Sequence, residues 1–137
     1  MNKKYLTWKD IEALVDVIVN NIEDSGKKYD AVYGLPRGGL IPAVMLSHRL
    51  DIPLVDHNSV VNTKNVLWVD DINDTGTTLL KAEEYILNDD AIAVLYSKPS
   101  SLVKPNYVGE IITDDSWLVF PWETEQSSKA DYLTIED

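Results

Sequence analysis

The feature that most limits the fold is Val66-Leu67-Trp68-Val69, four apolar residues in a row that run straight into Asp70-Asp71. A strand with one face in water alternates apolar and polar residues. An unbroken apolar run is instead a strand buried on both faces, and such strands belong to parallel sheets covered by helices. Ala91 to Tyr96 is a second run of this kind, and Tyr29 to Tyr33, broken only by Asp30, reads as a short apolar strand. Helical patterns lie between and before them. Ile11, Leu14, Val15, Ile18, Val19 and Ile22 recur at three-and-four spacing, so Thr7 to Asn21 reads as an amphipathic helix, capped by Thr7 and ended by Ser25-Gly26. Leu40 to Leu50 and Thr77 to Leu87 read as two more helices. Asp51-Ile52-Pro53 turns the chain into a short strand, Leu54-Val55, and Asp56 to Lys64 is polar and irregular. Strands alternating with helices in units of about 30 residues predict βαβ crossovers, hence an α/β fold with a mostly parallel sheet flanked by helices. Beyond Pro99, Tyr107 to Ile112 and Trp117 to Phe120 read as strands with no helix between them, and a small C-terminal hood is expected around Trp117.

A chain of 137 residues is one domain's worth: a single domain over 1–137, with its core at about 29–98, the hood at about 99–123 and the N-terminal helix at 7–21. Without cysteine, thiol catalysis, cysteine-ligated metal sites and a disulfide scaffold are excluded. No apolar run approaches the roughly 20 residues of a membrane span. Met1-Asn2-Lys3-Lys4-Tyr5 is not followed by the apolar stretch of a signal peptide, so the cytoplasm is the expected compartment. With 23 acids against 12 bases the net charge is −11, which argues against nucleic acid, whose phosphates need a basic footprint. It leaves room for a phosphorylated small molecule held by backbone amides and a divalent cation. The stretch Glu123 to Asp137 is polar and acidic, and part of it is expected to be poorly ordered.

In an open α/β sheet, ligands bind beyond the carboxyl ends of the strands. Two loops of unusual composition stand at such ends. Asp70-Asp71-Ile72-Asn73-Asp74-Thr75-Gly76-Thr77-Thr78 is read as a polar loop from Asp70 to Gly76 that then opens a helix. It sets three aspartates where a connector needs only a cap. Asp70 and Asp71 suit a sugar diol, or a divalent cation through its water shell. Thr75 to Thr78 bring backbone N–H groups, hydroxyls and a helix's positive end to one point, a phosphate cradle that Gly76 lets a ligand approach closely. The second loop, Gly34-Leu35-Pro36-Arg37-Gly38-Gly39, holds Arg37, one of two arginines in the chain, between glycines. A guanidinium there suits bidentate recognition of phosphate. His48 and His57 join no recognisable constellation.

Together the two loops resemble the type I phosphoribosyltransferase family, whose Asp-Asp-x-x-Asp-Thr-Gly segment after an apolar strand binds 5-phosphoribosyl 1-pyrophosphate. Val66 to Leu79 matches that signature, and Tyr33 to Leu40 is similar to the family's pyrophosphate loop. Tyr96-Ser97-Lys98-Pro99 and Asp115 to Glu123 look like the purine-binding end of bacterial xanthine–guanine phosphoribosyltransferases. The resemblance runs from about Ala31 to Glu123. It implies transfer of the 5-phosphoribosyl group to a 6-oxopurine (guanine, xanthine or hypoxanthine) with release of pyrophosphate. It also implies Mg2+ as cofactor and a homo-oligomer, dimer or tetramer.

Carried over residue by residue, Asp70 and Asp71 would bind the ribose hydroxyls, directly or through water on magnesium. Asp74 would face purine N7 as general acid or base, and Thr75, Gly76, Thr77 and Thr78 would hold the 5-phosphate. Arg37 and Gly38 would take the pyrophosphate, in a loop that can carry a cis peptide bond. Lys98 would donate to the purine 6-oxygen, Trp117 would stack on the ring, and the Leu118 backbone would read position 2. Glu123 stands where the family often has an acid near the second magnesium.

Two departures stand out. Pro36 occupies a position where relatives commonly carry a small polar residue. Only Asp56 to Asn65 separates Leu54-Val55 from Val66, where the family usually has a long flexible loop that closes over the site. A receiver domain is excluded by spacing, since it needs further strands between Asp71 and Lys98. A haloacid-dehalogenase-type phosphatase is disfavoured by Asn73, which stands where its acid/base aspartate must be. The remaining alternative is a non-catalytic use of the same fold, a ligand sensor or regulator.

Overall fold

The computed structural model describes residues 2–124, so the tail beyond Thr124 lies outside the described residues. The elements in order are β1 (Lys3–Tyr5), α1 (Trp8–Ser25), β2 (Ala31–Gly34), α2 (Leu40–Leu50), α3 (His57–Val60) and β3 (Val66–Asn73). They continue with α4 (Thr77–Ala82), a 3-10 turn (Glu83–Tyr85), β4 (Ala91–Ser97), β5 (Tyr107–Ile111) and β6 (Trp117–Val119).

Helix α1 begins where its sequence says it should. Thr7 and Asp10 form a reciprocal capping box, the Asp10 amide donating to Thr7 Oγ1 at 3.1 Å and the Thr7 amide to Asp10 Oδ2 at 2.8 Å. The helix runs four residues past Asn21, because Ile22 continues the buried face, and it ends at Gly26, which takes the left-handed C-cap at φ 72°.

Strands β2, β3, β4 and β5 form one parallel sheet in that order. The expected strand Leu54-Val55 is reduced to a single bridge, Leu54 to Val32, in which the Val32 amide and carbonyl bond Pro53 and Val55 at 2.9 Å. That bridge lies on the edge of β2 away from β3. The chain therefore goes from β2 through α2 to one side, then returns to the other side at β3. This reversal makes the carboxyl ends of β2 and β3 the switch point of the sheet, the usual ligand crevice of such folds.

Several elements differ from expectation. β3 does not stop at Val69: Asp70, Ile72 and Asn73 pair with Val94, Tyr96 and Ser97, so the acidic stretch starts as strand and becomes loop only at Asp74. β5, expected in the hood, is the fourth strand of the main sheet, parallel to β4 although no helix joins them. The hood instead pairs β6 with β1 in a two-stranded parallel sheet, Lys4 opposite Leu118. Nothing in the short, exposed Lys3-Lys4-Tyr5 announces a strand; only its partner makes it one. Helix α4 gives way to a 3-10 turn after Ala82, and the irregular stretch before β3 contains α3, capped by Asp56.

Alternation along the buried strands divides the core in two. Val32, Leu67, Val69, Ala93 and Leu95 face α1 and α2, while Tyr33, Trp68, Val94 and Ile92 pack with Leu79 of α4 and Val103. On the second side Tyr33 and Trp68 meet edge to face at 5.1 Å. Asp90 ties this layer down: its carboxylate accepts from the Val66 amide at 2.8 Å, Trp68 Nε1 at 3.0 Å and the Leu87 amide at 2.9 Å.

Candidate active site

The two unusual loops meet at the switch point. After Gly34 the chain folds over the end of β3, the Leu35 amide donating to the Val69 carbonyl at 2.8 Å and the Gly39 amide to the Leu35 carbonyl at 2.8 Å. The bond between Pro36 and Arg37 is cis, as the resemblance allowed. Arg37 is exposed, and Gly38 lies directly against the Asp71 carboxylate, where a Cβ would overlap its oxygens. A β-carbon here would displace the Asp71 carboxylate.

Asp70 and Asp71 end up unlike each other, because successive strand residues face opposite sides. Asp70 is buried, its Oδ1 accepting the Asp71 amide at 2.9 Å. Asp71 is half-buried and accepts the Ile72 amide at 2.7 Å. Burial, reinforced by the nearby negative charge of Glu123, pushes the Asp71 carboxyl above the usual carboxylate range, against the pull of its hydrogen bonds. A carboxylate held in this way gains from any cation or hydroxyl donor brought to it.

The threonine cradle follows. Thr75 and Thr77 hydroxyls meet at 2.9 Å, and Gly76 caps α4 at φ 94°, a backbone conformation that β-carbon-bearing residues rarely adopt. Its missing side chain is matched by a wall, since a Cβ there would stand 2.6 Å from Ser101 Oγ and 2.8 Å from the Leu102 nitrogen. On the other flank Lys98 Nζ meets Asp74 Oδ1 at 3.2 Å, with the lysine the more buried partner. Two residues expected at the base are therefore already adjacent.

Trp117 is half exposed at 51 % on β6, with its amide turned to Asn2 of the N-terminal segment at 2.8 Å. The Leu6 amide bonds the Val119 carbonyl, so strand alternation turns the Leu118 backbone toward the opposite edge. The Leu118 side chain itself is buried. Glu123 accepts the Phe120 amide at 3.0 Å, and Phe120 stacks on Trp122 at 5.0 Å. Among the described residues no three acids or histidines converge into a ready-made metal cage, so Asp70, Asp71 and Glu123 do not form one. The segment expected to be too short for a lid is mostly exposed and anchored at two points: Val60 of α3 is buried, and the Tyr33 hydroxyl meets His57 Nδ1 at 3.4 Å.

Sequence reasoning missed Asn73 and Ser101. Both are buried polar residues behind the threonine cradle, joined by a hydrogen bond of 2.8 Å. The one signal was Asn73 itself, an amide in a stretch otherwise explained by acids and threonines.

A parallel sheet with an acidic-threonine loop and a glycine loop at its switch point defines a phosphoribosyl-transfer type of α/β domain. The comparison with known proteins agrees: residues 57–129 match the phosphoribosyl transferase domain, and the chain belongs to that family. It is 30% identical over 146 residues to a xanthine-guanine phosphoribosyltransferase of Cereibacter sphaeroides, covering 87% of this chain and 86% of the relative. It is 26% identical over 139 residues to the protein of that name from Nitratidesulfovibrio vulgaris, covering 88% and 84%. Among solved structures, purine phosphoribosyltransferase from Pyrococcus horikoshii superposes with a TM-score of 0.77 at 32% identity, over 100% of both chains.

Proposed function

We propose that this protein transfers the 5-phosphoribosyl group from phosphoribosyl pyrophosphate to a 6-oxopurine (guanine, xanthine or hypoxanthine), acting as one domain over residues 1–137. The observation that carries this reading is the Lys98–Asp74 pair at 3.2 Å, with Asp74 standing between the end of β3 and the first threonine of the cradle. An ammonium donor suits a 6-oxygen, and the adjacent carboxylate suits the N7 side of the same ring. The 6-amino group of adenine offers Lys98 no acceptor, and such a mismatch costs a large factor in specificity.

In this reading the purine nitrogen attacks the anomeric carbon as the bond to pyrophosphate breaks, and the purine N–H proton is released with Asp74 as base. Asp70 and Asp71 hold the ribose hydroxyls, and their charge suits the positive character that develops on the sugar. Thr75, Gly76, Thr77 and Thr78 hold the 5-phosphate, while Arg37 and Gly38 take the departing pyrophosphate. Trp117 stacks on the base and the Leu118 backbone meets its position 2.

The residues present fit magnesium. The ion typically takes one or two protein carboxylates and completes its shell with water and substrate oxygens, which suits two adjacent aspartates with no third ligand converging among the described residues. Bound there, it would neutralise charge on the pyrophosphate. Glu123 is close enough to act on Asp71 electrostatically and is the nearest candidate for a second ion. The compartment in this reading is the cytoplasm, and the assembly a homo-oligomer.

The sensor alternative predicts binding without turnover. The test quantifies nucleotide formed from phosphoribosyl pyrophosphate with guanine, xanthine, hypoxanthine, adenine and orotate in turn. Nucleotide from the 6-oxopurines and little from adenine is the expected result. Equal use of adenine removes Lys98 from its role, and turnover of orotate alone sinks the purine reading.

A further inference from the structure

The buried polar network behind the cradle has no part in the roles just assigned. Asn73 ends β3 and is 2% exposed. Its Nδ2 donates to Ser97 Oγ at 3.1 Å and to the Val103 carbonyl at 2.8 Å, and its Oδ1 accepts from Ser101 Oγ at 2.8 Å. The Asn73 carbonyl also accepts the Lys98 amide at 2.9 Å. Only a carboxamide presents two donors and an acceptor from one short, planar head.

We propose that Asn73 is a positioning residue that locks the loop carrying Lys98 against the loop that forms the phosphate cradle. The claim rests on the phosphoribosyl-transfer reading of the site. The 98–103 segment has two duties. It carries Lys98 at one end, and through Ser101 and Leu102 it walls Gly76. It crosses from β4 to β5 without a helix to hold it. It is held by the Asn73 carboxamide, by the main-chain bonds of the Lys98 amide to the Asn73 carbonyl and of the Leu102 amide to the Thr75 carbonyl at 3.0 Å, and by the buried Val103. Among the described residues the carboxamide is the one side chain that bonds both ends of this segment, Ser97 beside Lys98 and Ser101 beside the cradle, and so fixes the distance across which the purine nitrogen must meet the anomeric carbon.

A buried polar group left without partners is costly, so a side chain that satisfies three others at once gives the loop one arrangement rather than several. A leucine would fill the same space but would strand Ser101 and the Val103 carbonyl. The amide is therefore selecting a loop conformation as well as filling the core.

The test compares wild type with Asn73→Ala and Ser101→Ala, well below each melting midpoint. Amide hydrogen exchange and steady-state kinetics with guanine, hypoxanthine and adenine are measured on all three. In Asn73→Ala, exchange at Lys98 and Leu102 should quicken while the β3 and β4 amides up to Val69 and Val94 stay protected. The KM for 6-oxopurine should rise about tenfold and the preference over adenine should narrow, because small misplacements of reacting groups are amplified in rate. Ser101→Ala should move the same readings less, and it carries the test should Asn73→Ala fail to fold. Loosened exchange with KM, kcat and base preference all within twofold of wild type overturns the proposal, leaving Asn73 a purely structural residue. Unchanged protection of the loop overturns it too. A wild type that makes no nucleotide refutes the transfer reading itself, and the positioning role falls with it. An active wild type with indifferent variants refutes only the role of Asn73.

Discussion

Gly76→Ala separates two reasons for a glycine, backbone strain and lack of room. At φ 94° a β-carbon costs about 1–2 kcal/mol in left-handed backbone. The new methyl would also stand 2.6 Å from Ser101 Oγ, 2.8 Å from the Leu102 nitrogen and 3.0 Å from the Val103 nitrogen. Two of those neighbours are main chain, so the loop must shift, which adds about 1–3 kcal/mol of overpacking. At about 2.1 cal/mol/K of melting entropy per residue, a total of about 2–5 kcal/mol lowers the midpoint by about 7–17 °C. Gly26 supplies the control, with φ 72° but nothing within 4 Å of the place its β-carbon would take. Gly26→Ala should show the strain alone, about 3–7 °C. Differential scanning calorimetry on both variants, with phosphoribosyl pyrophosphate titrated into each, makes the comparison. Affinity should fall in Gly76→Ala and hold in Gly26→Ala. If Gly76→Ala melts no lower than Gly26→Ala, the 101–103 wall does not press on the cradle and the reasoning fails.

Asp71→Asn should raise the melting point of the ligand-free protein at pH 7 while weakening magnesium-dependent substrate binding on the order of 10–100-fold, the worth of a charged hydrogen-bond partner. The sign follows from Asp71 being held above its ordinary value of 3.8: its stability contribution is complete below that pH and is lost as pH rises through the folded value, so a neutral amide spares the cost of ionising it. A lower melting point in the variant would contradict this. Asp90→Ala leaves the Val66 amide and Trp68 Nε1 without their acceptor, costing about 3 kcal/mol, or roughly 10 °C, with KM unchanged. A shifted KM would mean that this turn communicates with the site. Because residues 56–65 are a short segment held by the one-turn α3 rather than a long closing loop, water should compete with the purine unless a second copy covers the site. Nucleotide and free ribose 5-phosphate, quantified across enzyme concentrations, decide this. Fast nucleotide formation independent of dilution would show that the fold needs no cover.

Much of the candidate site was legible because its chemistry is written in adjacent residues. Asp70, Asp71 and Asp74 to Thr78 are one continuous stretch after a doubly buried strand, and local spacing is enough to read a strand end, a glycine and a helix start. Gly34 to Gly39 was legible for the same reason. The α1 helix could be read from its three-and-four pattern, and its extension to Ser25 follows from Ile22, which continues the buried face, and Gly26, which takes the left-handed cap.

What tertiary structure alone decided is which of these segments meet. β2 and β3 are neighbours through a four-residue parallel ladder, and the reversal beside it is marked by one bridge, Leu54 to Val32, which has no periodicity to read. β1 is three exposed residues that become a strand only because β6 lies beside them. Asp70, Ile72 and Asn73 remain strand because β4 continues alongside, which overrides the turn-forming chemistry of an acidic run. The partnership of Asn73 with Ser101 spans 28 positions, and the contact of Gly38 with Asp71 joins the glycine loop to the end of β3. Local sequence sets the chemistry that each loop can offer, since propensity and hydrogen-bonding capacity belong to neighbouring residues. The distances at which those loops face one another are long-range pairings, and only the packed sheet fixes them.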